Sequence, residues 1–233
     1  MNKPLLASSL LASSLLALAL AAPLAQAHKA GDIILRAGAI TVDPHENSSD
    51  IWVGALGSDV AGTKATLDSD TQLGLNLAYM LTDHLGVELL AATPFSHAVG
   101  VKGMPGAFAS LNGKLGELKQ LPPTLSLIYY PLDAASALQP YLGAGINYTW
   151  FFDTELSGEA EDKGFSGLDL DDSWGLAAQL GLDYLLTDDL LLNAQLRYID
   201  IDTRGSTRFG GREVEVDVDV DPLVYMLGLG YRF

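Results

Sequence analysis

From Ser173 the chain alternates strictly. Trp174, Leu176, Ala178, Leu180, Leu182, Tyr184 and Leu186 fall on one parity, and Ser173, Gly175, Ala177, Gln179, Gly181, Asp183 and Leu185 on the other. A period of two belongs to an extended strand, whose successive side chains point to opposite faces. Here the apolar face carries aromatics near both ends, and the other face is mostly small or polar. A strand with lipid outside and a narrow lumen inside requires that division.

The pattern recurs along the chain. Asp32–Val42 sets Ile33, Leu35, Ala37 and Ala39 against Arg36 and Gly38. Thr71–Leu81 separates Leu73, Leu75, Leu77 and Tyr79 from Gln72, Gly74, Asn76 and Ala78. Leu85–Thr93, Thr124–Pro131 and Tyr141–Phe152 follow, the last with Leu142, Ala144, Ile146, Tyr148 and Trp150 outward. Leu190–Asp202 points Asn193, Gln195 and Arg197 inward, and Leu223–Phe233 closes the series. Together with the segment at 172–186 this predicts an all-β chain of about eight strands, each about 9–13 residues, enough to cross a bilayer at a barrel's tilt. Closure into an antiparallel barrel is required because lipid offers no partner to an unpaired backbone group.

The links between strands sort by length. Those at 82–84, 132–139 and 187–189 are short, whereas 43–70, 94–122, 153–172 and 203–221 are long and polar. Short periplasmic turns alternating with four long extracellular loops follow from an outer-membrane barrel with both termini in the periplasm.

The compartment agrees. Lys3, the apolar run Leu5–Leu20, Pro23 and Ala25-Gln26-Ala27 read as a secretory signal peptide over 1–27, cleaved before His28, with the barrel over 28–233. Thirteen Lys and Arg against 29 Asp and Glu give a formal charge of −16, which argues against a nucleic-acid partner. The chain has no cysteine, so disulfides and thiolate metal sites are excluded.

Six segments stand out: Gly86-Val87-Glu88-Leu89-Leu90-Ala91-Ala92-Thr93-Pro94-Phe95, Leu121-Pro122-Pro123-Thr124-Leu125, Pro140 to Tyr148, Asp172-Ser173-Trp174-Gly175, Asp200-Ile201-Asp202-Thr203 and the ending from Asp221-Pro222 to Phe233. These segments resemble the OmpW family of small outer-membrane barrels. They run in family order over nearly the whole of 28–233 and fade in the loops at 43–69 and 204–219. The resemblance implies an eight-stranded barrel with a narrow, partly apolar lumen. It also implies uptake of small hydrophobic molecules, as in the alkane-uptake relatives called AlkL, with release sideways into the membrane. Phe233, with Tyr231 and Tyr225 before it, looks like the signal read by the barrel assembly machinery, and is equally an ordinary lipid-facing anchor.

Strand parity draws the lumen. Low in the barrel the inward residues are Ile34, Arg36, Glu88, Tyr130, Tyr141, Asp183, Asn193, Gln195 and Arg232. Arg36 and Arg232 facing Glu88 and Asp183 would form a charge network, since buried charge is tolerated only when paired. That network reads as a plug against water and ions, or as simple filling of a lumen that eight strands leave just wide enough for side chains. Higher up the expected lining is Ile40, Val42, Leu90, Ala92, Phe151, Ile199, Ile201, Val224 and Met226, with Arg197 an awkward polar neighbour. Relatives often carry a bulky aromatic at the Arg197 position. Such a lining suits a small apolar ligand, and it also suits self-packing. Pro94 and Pro122-Pro123 donate no N–H, so they either open a sideways exit or merely end strands.

Other signals carry less. Glu213 to Asp221 alternates acids with valines, which fits a strand rising above the membrane with a solvated acidic face, or a site for cations bridging lipopolysaccharide. His28, His45, His84 and His97 show no metal-ligand spacing, and no cofactor motif is present. No catalytic motif accompanies the outer-loop histidines, so an enzyme is not expected. The expected partners are outer-membrane lipids, lipopolysaccharide and small apolar solutes. The rival reading is a surface or stress-related barrel whose loops bind receptors or host factors, with no transport role.

Overall fold

The computed structural model describes residues 28–133 and 135–233; the leader expected over 1–27 lies outside the described residues. Eight wall strands are numbered in chain order: β1 (Ile33–Asp43), β2 (Asp70–Met80), β3 (Leu85–Ala92), β4 (Thr124–Tyr129), β5 (Leu138–Leu156), β6 (Ser173–Leu185), β7 (Leu190–Ile199) and β8 (Leu223–Arg232). Each pairs antiparallel with its sequence neighbours, and β8 pairs with β1, so the sheet closes into an eight-stranded barrel.

Closure follows from the sequence pattern. On β7, Leu191, Asn193, Gln195, Arg197 and Ile199 are buried while Leu192, Ala194, Leu196 and Tyr198 are exposed. The exposed leucines, such as Leu176 at 67% and Leu180 at 63%, face lipid, so their exposure carries no hydrophobic cost. Two aromatic girdles bound this band. At the outer end Tyr148 packs on Trp174 and Trp150 on Phe152, each with ring centroids 4.8 Å apart. At the other end Tyr231 packs edge-on against Phe233 at 4.7 Å.

Two expectations about extent need correction. The fifth strand, expected over 141–152, runs for 19 residues from Leu138 to Leu156 and so rises beyond the outer girdle. The long links are also not plain loops. Phe95–Lys102 and Gly113–Leu121 form a hairpin that pairs with upper β5, and Asp202–Phe209 pairs with Arg212–Asp219. The latter hairpin lies in a second sheet with Phe165–Leu170, Ile51–Val53 and Ser58–Val60. A one-turn helix, α1 (Gly158–Asp162), precedes Phe165–Leu170; the Ser157 side chain caps it by accepting the Ala160 N–H at 3.2 Å. The valines of 213–221 explain the order: Val214 and Val218 are buried while Asp217 and Asp219 point to water.

Candidate functional site

The lower lumen is crossed by one hydrogen-bonded network. Arg36, on β1, donates from Nε to Asp183 Oδ1 at 3.1 Å and from Nη2 to Asp183 Oδ2 at 2.6 Å. Its remaining donors reach Asn76 Oδ1 at 3.1 Å, Glu88 Oε2 at 3.3 Å and the Tyr130 hydroxyl at 2.6 Å. Tyr130 in turn donates to Asp183 at 2.9 Å. Glu88 Oε1 accepts from Gln179 at 2.9 Å, Gln195 at 3.2 Å and Arg197 Nη2 at 2.7 Å. Asn193 joins Asp183 to the Tyr141 hydroxyl at 2.8 and 3.0 Å. These charges are buried yet paired across the barrel, the condition on which a small lumen tolerates them.

The expected members Arg36, Glu88 and Asp183 are brought together, whereas the contacts of Arg232 among the described residues lie elsewhere. It lies at the periplasmic rim, donates to the Asp188 carbonyl at 2.5 Å, and pairs with Asp32 at 3.7 Å and Asp189 at 3.9 Å. The physical reason is height. Arg232 is paired with Ile34, one inward step below Arg36, where the adjoining turn offers nearer acceptors. Arg197 takes its place. Expected among the apolar lining, it sends its guanidinium to Glu88 and Gln179 instead, because a charge cannot be left against hydrocarbon while carboxylate and amide are in reach.

His28 adds an element that parity did not foresee. It is 1% exposed, with Nε2 3.4 Å from Asp183 Oδ2 and its ring centroid 4.3 Å from that of Tyr130. It precedes the first strand, so no periodicity reports its direction.

Above this layer, Ile40, Val42, Leu90, Phe151, Ile199, Ile201, Val224 and Met226 pack into one buried apolar cluster, with Ala92 against its edge. The cluster continues upward through Phe95, Val99, Leu118, Leu170 and Val218. Open volume appears higher still. A cavity of about 70 Å³ is lined by Leu67, Val99, Val101, Leu168 and Val218. A second, of about 190 Å³, is lined by Val53, Leu56, Phe108, Leu111 and Phe209, and the two share Met104, Phe165 and Val214. These adjoining cavities are therefore built by the hairpins above the wall, including the strand that the alternation over 213–221 predicts.

Among the described residues, the seam between β3 and β4 is unpaired over part of its length. Its ladder stops at Leu90–Thr124 and resumes at Phe95–Gln120. The intervening backbone carries Pro94, Pro122 and Pro123, none of which has an N–H to offer. The flanking seams stay joined. Tyr148 N–H donates to the Pro123 carbonyl at 3.1 Å, and Asn147 Nδ2 to the same oxygen at 3.1 Å. On the other side Asp70 Oδ2 accepts Ser96 N–H at 2.8 Å, and Asp68 Oδ1 accepts Ala98 N–H at 2.6 Å. His97, above the outer girdle in this hairpin, is buried between the Asp68 carbonyl at 2.6 Å and Gln120 Nε2 at 2.9 Å. Burial pushes its imidazole below the usual histidine range, against the opposing pull of Asp68 and Asp70.

At the outer rim, the carboxylates of Asp200, Asp202 and Asp221 lie within 4.8 Å of one another. Partial burial and repulsion from Asp200, Asp219 and Asp221 raise the Asp202 carboxyl above its ordinary pKa. Of the acidic stretch 213–221, only Asp221 joins this group.

A closed barrel of eight strands, with lipid-facing leucines between aromatic girdles, short turns at one end and long hairpins at the other, is a small outer-membrane β-barrel. The chain belongs to the OmpW family, whose model matches residues 29–233. It is 45% identical over 209 residues to Outer membrane protein W of Vibrio cholerae serotype O1, covering 89% of this chain and 91% of that one. The crystal structure of OprG from Pseudomonas aeruginosa superposes with a TM-score of 0.84 at 54% identity, covering 89% of this chain and 98% of that chain. Outer membrane protein AlkL of Ectopseudomonas oleovorans is 30% identical over 188 residues, covering 81% of this chain and 76% of that one. The protein accordingly resides in the outer membrane of a Gram-negative bacterium.

Proposed function

We propose that the protein is a passive, non-enzymatic conduit that takes small apolar molecules from outside the cell into the outer membrane. The observation that carries this reading is an apolar chamber standing above a sealed polar floor. Met104, Phe165 and Val214 line both cavities outside the membrane, while Arg36, Glu88 and Asp183 close the lumen below. Solubility does not call for such a chamber, and ligand sites are apolar pockets with a few placed polar groups. A molecule descending from it meets a floor it cannot cross. The β3–β4 seam beside Leu90 and Phe95 is the way out that breaks no ladder hydrogen bond. Similarity to AlkL agrees with this reading.

The test is uptake of a medium-chain alkane by cells with and without the protein, with Leu90→Asp as a second arm checked for normal assembly. Protein-dependent uptake that Leu90→Asp abolishes is the expected result. Absence of protein-dependent uptake across several apolar compounds would replace the conduit by a surface anchor acting through its hairpins.

A further inference from the structure

The cross-lumen network balances its charge, with Arg36 and Arg197 against Glu88 and Asp183. Arg197 stands at its upper edge. The next inward residue toward the exterior is Ile199 on β7, Ala177 beyond Gln179 on β6, and Leu90 beyond Glu88 on β3. All three are buried and belong to the apolar cluster. The guanidinium thus lies where the polar lumen gives way to the apolar one.

A guanidinium has five N–H donors in a fixed fork. Nε donates to Gln179 Oε1 at 2.8 Å, and Nη2 serves Glu88 at 2.7 Å and Gln179 as well. Nη1 is buried and has no hydrogen-bond partner among the described residues. Arg197 as a whole is 1% exposed. A buried donor without an acceptor lowers stability, and an acceptor arriving there restores it.

We propose that Arg197 Nη1 reads the passing molecule, and that the preferred cargo is a small apolar molecule bearing one neutral acceptor oxygen, such as a ketone or an ester. This rests on the conduit reading above. A plain hydrocarbon leaves Nη1 unpaired, and a site with a buried donor discriminates against the analogue that lacks the acceptor. A carboxylate fits worse. It would add an uncompensated charge to a network already at balance, in a lumen where such a charge is costly. It would also have to pass the rim carboxylates Asp200, Asp202 and Asp221 on a chain of formal charge −16. A neutral oxygen meets neither obstacle. Placement favours the same reading: Glu88, the partner of Arg197, is one inward step below Leu90, where the unpaired seam begins. The oxygen would be held while the apolar remainder turns toward the exit.

The experiment measures protein-dependent uptake of labelled n-octane, 2-octanone and octanoate, matched in chain length, in cells making the wild type, Arg197→Leu or Arg197→Gln. Folding of each variant is verified by the mobility of the unheated barrel on a gel. The expected result is wild-type uptake favouring 2-octanone over n-octane by about tenfold, the effect of one hydrogen bond to a charged group, with octanoate slowest. Both variants should bring the ratio of 2-octanone to n-octane uptake down to about one. Equal rates for ketone and alkane in the wild type, or a ratio that neither variant moves, overturns the inference while protein-dependent n-octane uptake leaves the conduit standing. No protein-dependent uptake of any of the three overturns the conduit, and this inference with it. Should neither variant assemble, the wild-type preference alone decides.

Discussion

Arg36 and Asp183, 147 positions apart in the chain, meet in the lower lumen as a two-pronged ion pair, Nε to Oδ1 at 3.1 Å and Nη2 to Oδ2 at 2.6 Å. Both side chains are fully buried. The attraction between them is largely spent on their desolvation, so the pair matters most when one member is missing. Arg36→Ala leaves Asp183 with His28, Tyr130 and Asn193 around its charge among the described residues. The expected loss is about 3–5 kcal/mol of unfolding free energy, read from urea titration of the protein in lipid vesicles. Combining Arg36→Met with Asp183→Asn should recover part of it; a double variant as unstable as Arg36→Ala would contradict this account.

Tyr141 and Gly181 are fitted to each other. A Cβ on Gly181 would lie 2.1 Å from Tyr141 Cζ, so the ring occupies the space a side chain would need. The hydroxyl accepts from Asn193 at 3.0 Å and Gln195 at 3.3 Å. Gly181→Ala displaces the ring and should cost about 1–3 kcal/mol by overpacking, whereas Tyr141→Phe should cost about 1 kcal/mol for the lost hydrogen bonds. The same urea titration checks both, and a neutral Gly181→Ala would mean the ring has room to move.

The wall and the pairing of charges were legible because a closed barrel reduces inside and outside to parity. Arg36, Glu88 and Asp183 fall on inward positions of three strands, and a shared parity was enough to bring them together. Arg197 and Arg232 were exchanged because parity gives direction and not reach. A long guanidinium reaches for the nearest acceptors, and Arg197 finds Gln179 directly opposite on β6 and Glu88 across the lumen. The chamber at Met104, Phe165 and Val214 was not legible for a different reason. Its lining is spread over short hairpin strands among charged residues, and only the pairing of those strands above the membrane turns their apolar faces together. His28 lies before any periodic segment, so its burial beside Asp183 left no trace in the pattern.

His97 makes the hairpin above the seam sensitive to acid. Burial holds its pKa below that of an exposed histidine even beside Asp68 and Asp70. The unfolded chain therefore takes up this proton more readily than the folded one. The stability tied to neutral His97 is complete above the ordinary histidine pKa of about 6.5 and is lost as the pH falls through it toward the folded value. Amide exchange over residues 95–121, corrected for intrinsic rates, should show weaker protection at about pH 5.5 than at about pH 7.5. His97→Gln should flatten that difference. Equal protection at both pH values in the wild type would mean that Gln120 and Asp68 accommodate the protonated ring without loss.

Pro94 bears on the sideways exit directly. Thr93 N–H donates to the Leu73 carbonyl at 3.0 Å on the β2 side. By the alternation of an antiparallel ladder, a residue at 94 with an N–H would direct it toward β4. There it would face Leu121, Pro122 and Pro123 across the gap between Leu90–Thr124 and Phe95–Gln120. Pro94→Ala combined with Pro122→Ala therefore supplies a donor on each side of the seam. One new backbone hydrogen bond is worth about 1 kcal/mol, enough to shift an open seam about fivefold toward closure. Alkane uptake should fall by a comparable factor while the barrel gains slightly in stability. If exchange measurements show the seam newly protected and uptake is unchanged, the molecule leaves by another route, and the prolines only end their strands.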